Sequence, residues 1–237
     1  MTALRSLLFN IVFFIWSTGF HLLCLPLLAA PKVATFQAGR FWVRVSLWLL
    51  ALICGLRHRI DGRENLPQGP CIIAAKHQSA WDTLIFSQFL EMPSYVIKRE
   101  LIWFPLFGWY LYKLGVIAVD RAGGAKALRA LISQAQALAA AGRPIVIYPE
   151  GTRTAPGQNR PYQPGIAALY RQLDLPVVPV ALNSGLFWGR RSFLKRPGCI
   201  RLEILPPIPP GLDRKTFLKE LESRIEGAST RLAKAPS

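Results

Sequence analysis

The sequence predicts an α/β fold: a mixed, mostly parallel sheet flanked by helices, with an N-terminal membrane-embedded helical segment. Three observations carry this expectation. The stretch from Ser6 to Pro31 holds no formal charge and is dense in Leu, Phe and Ile. Beyond Arg57, short apolar runs alternate with segments of helical periodicity, the pattern of strands and helices layered on one sheet. The 237 residues are 51% hydrophobic and only 18% charged, against about 25% charge in an average soluble domain, which excludes an intrinsically disordered chain.

From Leu7 to Leu25 a helix reaches about 28 Å at about 1.5 Å per residue, close to the roughly 30 Å of a hydrocarbon core. Pro26 then interrupts it, and both crossing and looping back remain open. A cleaved leader is the competing reading, because Arg5 precedes the run and Ala29-Ala30 follow it. The length of the run and Leu28, where a small residue is expected, count against cleavage. A second apolar run, Val45–Leu56, is too short to span at 12 residues and reads as interfacial or re-entrant. Trp42 and Trp48 suit the headgroup level. Residues 1–56 are therefore expected to be membrane-associated helices and residues 57–237 an α/β domain. Arg5 stands alone before the first segment, while Lys32, Arg40, Arg44, Arg57 and Arg59 follow it. That asymmetry predicts a cytoplasmic location for the remainder.

His58 falls in what reads as a basic turn between Arg57 and Arg59. Strands are expected at Cys71–Ala75, Tyr95–Lys98, Val116–Val119, Ile145–Tyr148, Val177–Leu182 and Ile200–Leu205. The first is a continuous apolar run, typical of a strand buried on both faces. Ala125–Ala141 places Leu128, Leu131, Ile132, Ala135 and Leu138 at helical spacing, with Gly142 as a stop. Ile166–Leu173 is a shorter helix, and Asp213–Lys234 closes the chain with Phe217, Leu218, Leu221 and Ile225 on one side. The run Trp103–Trp109 reads either as core or as an apolar surface that takes a ligand or leans into the bilayer.

With 29 Lys and Arg against 13 Asp and Glu, the net charge of +16 calls for an anionic partner. Nucleic acid is excluded as that partner, because the cations are dispersed and the aromatics sit in apolar runs. The four cysteines form no C-x-x-C pair and read as free thiols in a reducing compartment.

Residues just past strand ends are where α/β folds gather chemistry. His77 follows the Cys71–Ala75 run, with Asp82 five residues on. In one regular helix the two would point apart, so they meet only if His77 lies in the loop and Asp82 at the helix start, where capping is its plain structural role. Tyr148–Arg153 follows a second strand, Lys98–Leu101 a third and Asp120–Arg121 a fourth. Four strand ends thus bring cations and carboxylates to one rim beside a His/Asp pair, as an anion pocket beside a general base would require.

These blocks resemble the glycerophospholipid acyltransferase family, of the 1-acyl-glycerol-3-phosphate acyltransferase type. His77 and Asp82 match its H-x-x-x-x-D motif. Lys98, Glu100, Leu101, Pro105, Gly108, Gly115 and Arg121 match its second block, Tyr148–Arg153 its third, and Val178-Pro179-Val180 its fourth. Asp61–Pro67 resembles the lead-in to the core sheet, and Lys76 stands where many relatives have Asn. Beyond Asn183 the likeness is thin.

The resemblance implies transfer of a fatty acyl group from acyl-CoA or acyl carrier protein, as co-substrate, to the sn-2 hydroxyl of lysophosphatidic acid, giving phosphatidic acid. Another lysolipid is the alternative acceptor. His77 is the implied general base and Asp82 its orienting partner. Lys98, Arg121 and Arg153 are the implied phosphate ligands, with Glu150 orienting a cation or a glycerol hydroxyl. Gly151 and Thr152 complete that pocket, Gly151 by close backbone approach, and N–H groups near it are expected to receive the oxyanion. Ser79 is not required as a nucleophile, and neither a cofactor nor a metal is called for. Anionic membrane lipid and the cytoplasmic face of the bacterial inner membrane are the expected setting.

Overall fold

In the computed structural model, which describes residues 1–234, the apolar runs become strands: β1 (Leu56–Asp61), β2 (Ile72–Ala75), β3 (Ser94–Lys98), β4 (Ile117–Val119), β5 (Ile145–Ile147), β6 (Val177–Leu182) and β7 (Gly198–Ile204). They join in one sheet ordered β1-β7-β6-β2-β5-β3-β4. β6, β2, β5, β3 and β4 are mutually parallel, while β7 runs antiparallel to β6 and pairs in parallel with β1. The expected α/β class, with a mixed and mostly parallel sheet, is what the chain adopts.

β2, β5 and β6 are buried along their whole length. Side chains alternate across a strand, so each feeds two cores. Ile73, Ala75, Val146, Val178 and Val180 face one core, and Ile72, Ala74, Ile145, Ile147 and Val177 the other. The second core is closed by α5 (Gly124–Ala140), α6 (Pro164–Leu173) and α7 (Arg214–Lys234), through residues such as Leu131, Ile166 and Phe217.

The first core is closed by the N-terminal helices α1 (Thr2–Leu23) and α2 (Lys32–Cys54) and by the short α3 (Asp82–Ile85). The fold here departs from two expectations. α2 is 23 residues long, not the 12-residue apolar run alone, because its first turns pack even though they carry charge. Arg40 donates to the Gln88 carbonyl at 3.2 Å and lies over the Phe36 ring. The presumed basic turn around His58 is strand β1, held by β7 at the sheet edge. Its exposed Arg57, His58 and Arg59 hid it from a search for apolar runs.

A single turn of 3-10 helix, Leu25–Leu28, sends α2 back along α1. Thr35 Oγ1 donates to the Leu27 carbonyl (2.8 Å) and Trp42 Nε1 to Ser17 Oγ (3.2 Å), fastening the hairpin. Cys54 Sγ lies 3.7 Å from the Arg5 carbonyl, so Arg5 sits at the end of α2 that enters the sheet. Arg5 therefore shares one end of the hairpin with Arg57 and Arg59, while Lys32 stands at the other, so the charge asymmetry expected across α1 does not separate its two ends. Phe9 is a core residue at 2% exposure, so α1 packs into the first core at that point.

Candidate active site

Parallel strands place their carboxyl ends on one edge of the sheet, and four candidate blocks lie there side by side. His77 follows β2, Glu150–Arg153 follow β5, Lys98 ends β3 and Arg121 follows β4. With neighbouring strands about 4.8 Å apart, Lys98 is about 10 Å and Arg121 about 14 Å along the rim from His77.

His77 Nδ1 lies 3.0 Å from Asp82 Oδ2, with side-chain exposures of 12% and 0%. The expected juxtaposition holds, with His77 in the loop and Asp82 opening α3. The carboxylate caps no helix N–H. Its Oδ2 accepts instead from the backbone N–H groups of Gln78 and Ser79, each at 2.7 Å, and Oδ1 accepts from Ser184 Oγ at 2.5 Å. Both oxygens of the buried carboxylate thus have donors. The Tyr148 ring stacks on the imidazole at 4.0 Å, and its hydroxyl donates to the Asp82 carbonyl at 2.9 Å. Burial pushes the Tyr148 phenol well above its ordinary value, so it stays a neutral donor. With Nδ1 on Asp82, the ring presents Nε2 as its free nitrogen among the described residues. Ser79 is fully buried, its Oγ accepting from Trp81 N–H, so it offers no exposed nucleophile.

The loop after β5 is fastened to the histidine, since Thr154 N–H donates to the His77 carbonyl at 2.8 Å. Gly151 takes a positive φ of 68° in the turn that starts this loop, a conformation that strains any residue with a Cβ. Its own N–H is bonded to the Tyr148 carbonyl, so that one of the N–H groups expected near the oxyanion is already engaged. Thr152 and Arg153 are half-buried, and Arg153 has no ion-pair partner among the described residues. Lys98 pairs with Glu100 at 2.8 Å on the surface, and Arg121 is exposed beyond β4.

Glu150 has a partner that the motif gives no hint of. Its Oε1 accepts from Lys76 Nζ at 2.8 Å, with both side chains buried, and Lys76 also bonds Glu226 of α7 at 2.7 Å. Tyr162 donates a further bond to Glu226. Lys76, Ser184 and Glu226 are the polar groups that sequence reasoning missed. Only Lys76 carried a signal, as the departure from Asn beside the motif histidine.

A family model described as Acyltransferase matches residues 57–183. The chain belongs to the acyltransferase family. This acyltransferase is 36% identical to the 1-acyl-sn-glycerol-3-phosphate acyltransferase of Pseudomonas aeruginosa over 232 residues, covering 94% of the chain and 88% of that protein. It is 30% identical to a 1-acyl-sn-glycerol-3-phosphate acyltransferase of Chlamydomonas reinhardtii, over 94% of the chain and 72% of the relative. In fold it matches the crystal structure of the 1-acyl-sn-glycerophosphate acyltransferase PlsC from Thermotoga maritima, with a TM-score of 0.83 and 21% identity over all of both chains.

Proposed function

We propose that the enzyme transfers a fatty acyl group from acyl-CoA or acyl carrier protein to the sn-2 hydroxyl of 1-acyl-glycerol-3-phosphate, giving phosphatidic acid. The observation that carries this reading is the His77–Asp82 pair, a mostly buried imidazole with 12% of its surface open, backed by a fully buried carboxylate, in a chain whose relatives bear that acyltransferase name. An alcohol is a poor nucleophile until a base takes its proton. Nε2 of neutral His77 takes it as the hydroxyl oxygen attacks the thioester carbonyl. Asp82 fixes the tautomer and balances the imidazolium that forms, which together contribute about 10²- to 10⁴-fold in rate. The imidazolium then returns the proton as the thiol leaves. Arg153 and Lys98 bind the phosphate, the guanidinium by paired hydrogen bonds, with Arg121 at the outer end of the rim. Glu150 acts through Lys76, and Gly151 and Thr152 shape the loop that presents Arg153. No bound cofactor or metal enters this scheme.

The membrane reading is finer than helix length and composition give, which is that α1 and α2 are each long and apolar enough to cross. α1 is tied to the α/β portion toward both ends, by the Lys195 N–H to Ser6 Oγ at 2.9 Å and by the Tyr110 hydroxyl to the His21 carbonyl at 2.7 Å. A helix held at both ends lies against the α/β portion, packed on α2. It engages one leaflet, with the basic surplus on the headgroups of the cytoplasmic face of the inner membrane and residues 57–237 as the catalytic domain.

The test is acyl transfer to lysophosphatidate by the purified full chain beside His77→Ala and Arg153→Ala. Product from wild type, loss in His77→Ala, and a KM for the acceptor raised about 10-fold or more in Arg153→Ala are expected. Turnover surviving in His77→Ala removes the base assignment. Acceptance of phosphate-free lysolipids in place of lysophosphatidate replaces the acceptor.

A further inference from the structure

Asp82 holds its two carboxylate oxygens in unequal ways. Oδ2 is gripped by three donors from the loop directly before it, His77, Gln78 and Ser79. Oδ1 has one bond, from Ser184 Oγ, which lies 102 residues further along the chain. The terminal torsion of an aspartate is broad, so donors on one oxygen alone leave the carboxylate free to swing its plane. A second oxygen pinned from the opposite side removes that freedom.

Ser184 is well placed to pin it. It follows β6, the neighbour of β2 in the sheet, at the same edge as His77. Ser184 is fully buried, and its backbone carbonyl accepts from Phe187 and Trp188, which fixes where its side chain starts. The next residue adds a second tie, Gly185 N–H to Gln78 Oε1 at 2.9 Å. A Cβ at Gly185 would come within 3.0 Å of Gln78, so the two loops are in close contact there. Ser184 lies just outside the segment matched to the family.

We propose that Ser184 is a positioning residue of the His77–Asp82 pair, holding Oδ1 of Asp82 so that Oδ2 stays directed at the imidazole. The inference rests on the acyl-transfer reading only for its kinetic consequence. The ionisable groups around the pair are Tyr148, stacked on His77, with Arg153 and Tyr95 acting on it, and Lys76, which is turned to Glu150 and Glu226. Among the described residues none of these bonds Oδ1 of Asp82. Loss of the serine hydroxyl leaves a buried, charged oxygen without a donor. The negative charge then favours the imidazolium more strongly, and the carboxylate plane becomes mobile.

The chain has only three histidines, so ¹⁵N-histidine NMR of the full chain in detergent, with His77→Ala as the assignment control, reads the titration of His77 without substrate. In Ser184→Ala the titration midpoint moves to higher pH and kcat falls about 10- to 100-fold, with the acceptor KM within about 2-fold of wild type. Ser184→Thr restores both. A folded Ser184→Ala with the wild-type midpoint and kcat overturns the proposal. Should Ser184→Ala fail to fold, Ser184→Cys keeps the size with a weaker donor, and an unshifted midpoint in that variant overturns it equally. If wild type transfers to no lysolipid, the acyl-transfer reading fails while the NMR titration still decides the role of Ser184.

Discussion

At the scale of single residues, Lys76 and its two carboxylates carry an instructive imbalance. One buried ammonium serves Glu150 at 2.8 Å and Glu226 at 2.7 Å, and Glu150 Oε2 is buried with no hydrogen bond among the described residues. Burial pushes the Glu150 carboxyl above its ordinary 4.5, against the pull of Lys76. A carboxyl whose folded-state pKa is raised contributes stability that is complete below its unfolded value and is lost as pH rises through the folded value. Glu150→Gln removes that titration. Denaturant midpoints of wild type and Glu150→Gln, measured from acid to neutral pH, should therefore diverge, with the wild type losing ground to the variant as pH rises above about 4.5. Parallel curves would show that Glu150 is ionised without penalty. Of this cluster, Glu150 stood out in the sequence because it lies in a motif, and Lys76 as the departure from Asn beside the motif histidine; Glu226 is 150 residues from Lys76 and in a helix face full of charge.

At the scale of elements, the segment between β6 and β7 links the candidate pair to α1. It begins with Ser184 on Asp82 and ends with Lys195 against the helix. Lys195 is 3% exposed, its ammonium lying 5.5 Å from the Phe9 ring centre and 5.0 Å from that of Trp188 and bonding Asn10, while its backbone N–H donates to Ser6 Oγ at 2.9 Å. Burial pushes the Lys195 amine down, and the aromatic faces and the Asn10 oxygen hold it charged. Lys195→Met keeps the apolar stem but leaves Asn10 unpaired, at a cost of about 2 kcal/mol. That corresponds to a thermal midpoint lower by about 4–8 °C, and an unchanged midpoint would show that the ammonium contributes nothing. Little in the local sequence marks this link. Lys195 stands in a basic run, Arg190 to Arg196, whose other cations are exposed, and only its packing against Phe9 and Trp188 distinguishes it.

At the scale of the whole molecule, the side of the hairpin turned away from the sheet is apolar and open. Leu4, Leu7, Leu8, Ile11 and Ile15 recur along one face of α1, and Trp48 and Leu52 continue it on α2. The Trp103–Trp109 run is no core: Trp103 is 76% exposed, with Phe104 and Trp109 also open. A soluble monomer rarely leaves such an area in water, and the proposed setting on an anionic bilayer would cover it and meet the net charge of +16. After detergent removal the chain should float with vesicles of anionic phospholipid more than with zwitterionic ones. High salt should narrow the difference without abolishing binding, since burial of the apolar face is not screened. Equal flotation with both lipids at low salt would assign the positive charge to the acyl donor instead.

The strands β2, β5 and β6, the helices α5 and α7, and the position of each motif block at a strand end were legible in the sequence alone. Each of these depends on the periodicity of a few adjacent residues and on their burial on one or both faces. β1 was not legible, because an edge strand with exposed Arg and His lacks the apolar pattern that marks a buried one. The order of strand ends along the rim, the return of α2 along α1, Lys76 between two glutamates and Ser184 on Asp82 were decided by the tertiary structure. They bring together groups separated by crossover connections of up to 150 residues, and a pairing made only by folding leaves no mark on the local sequence of either partner.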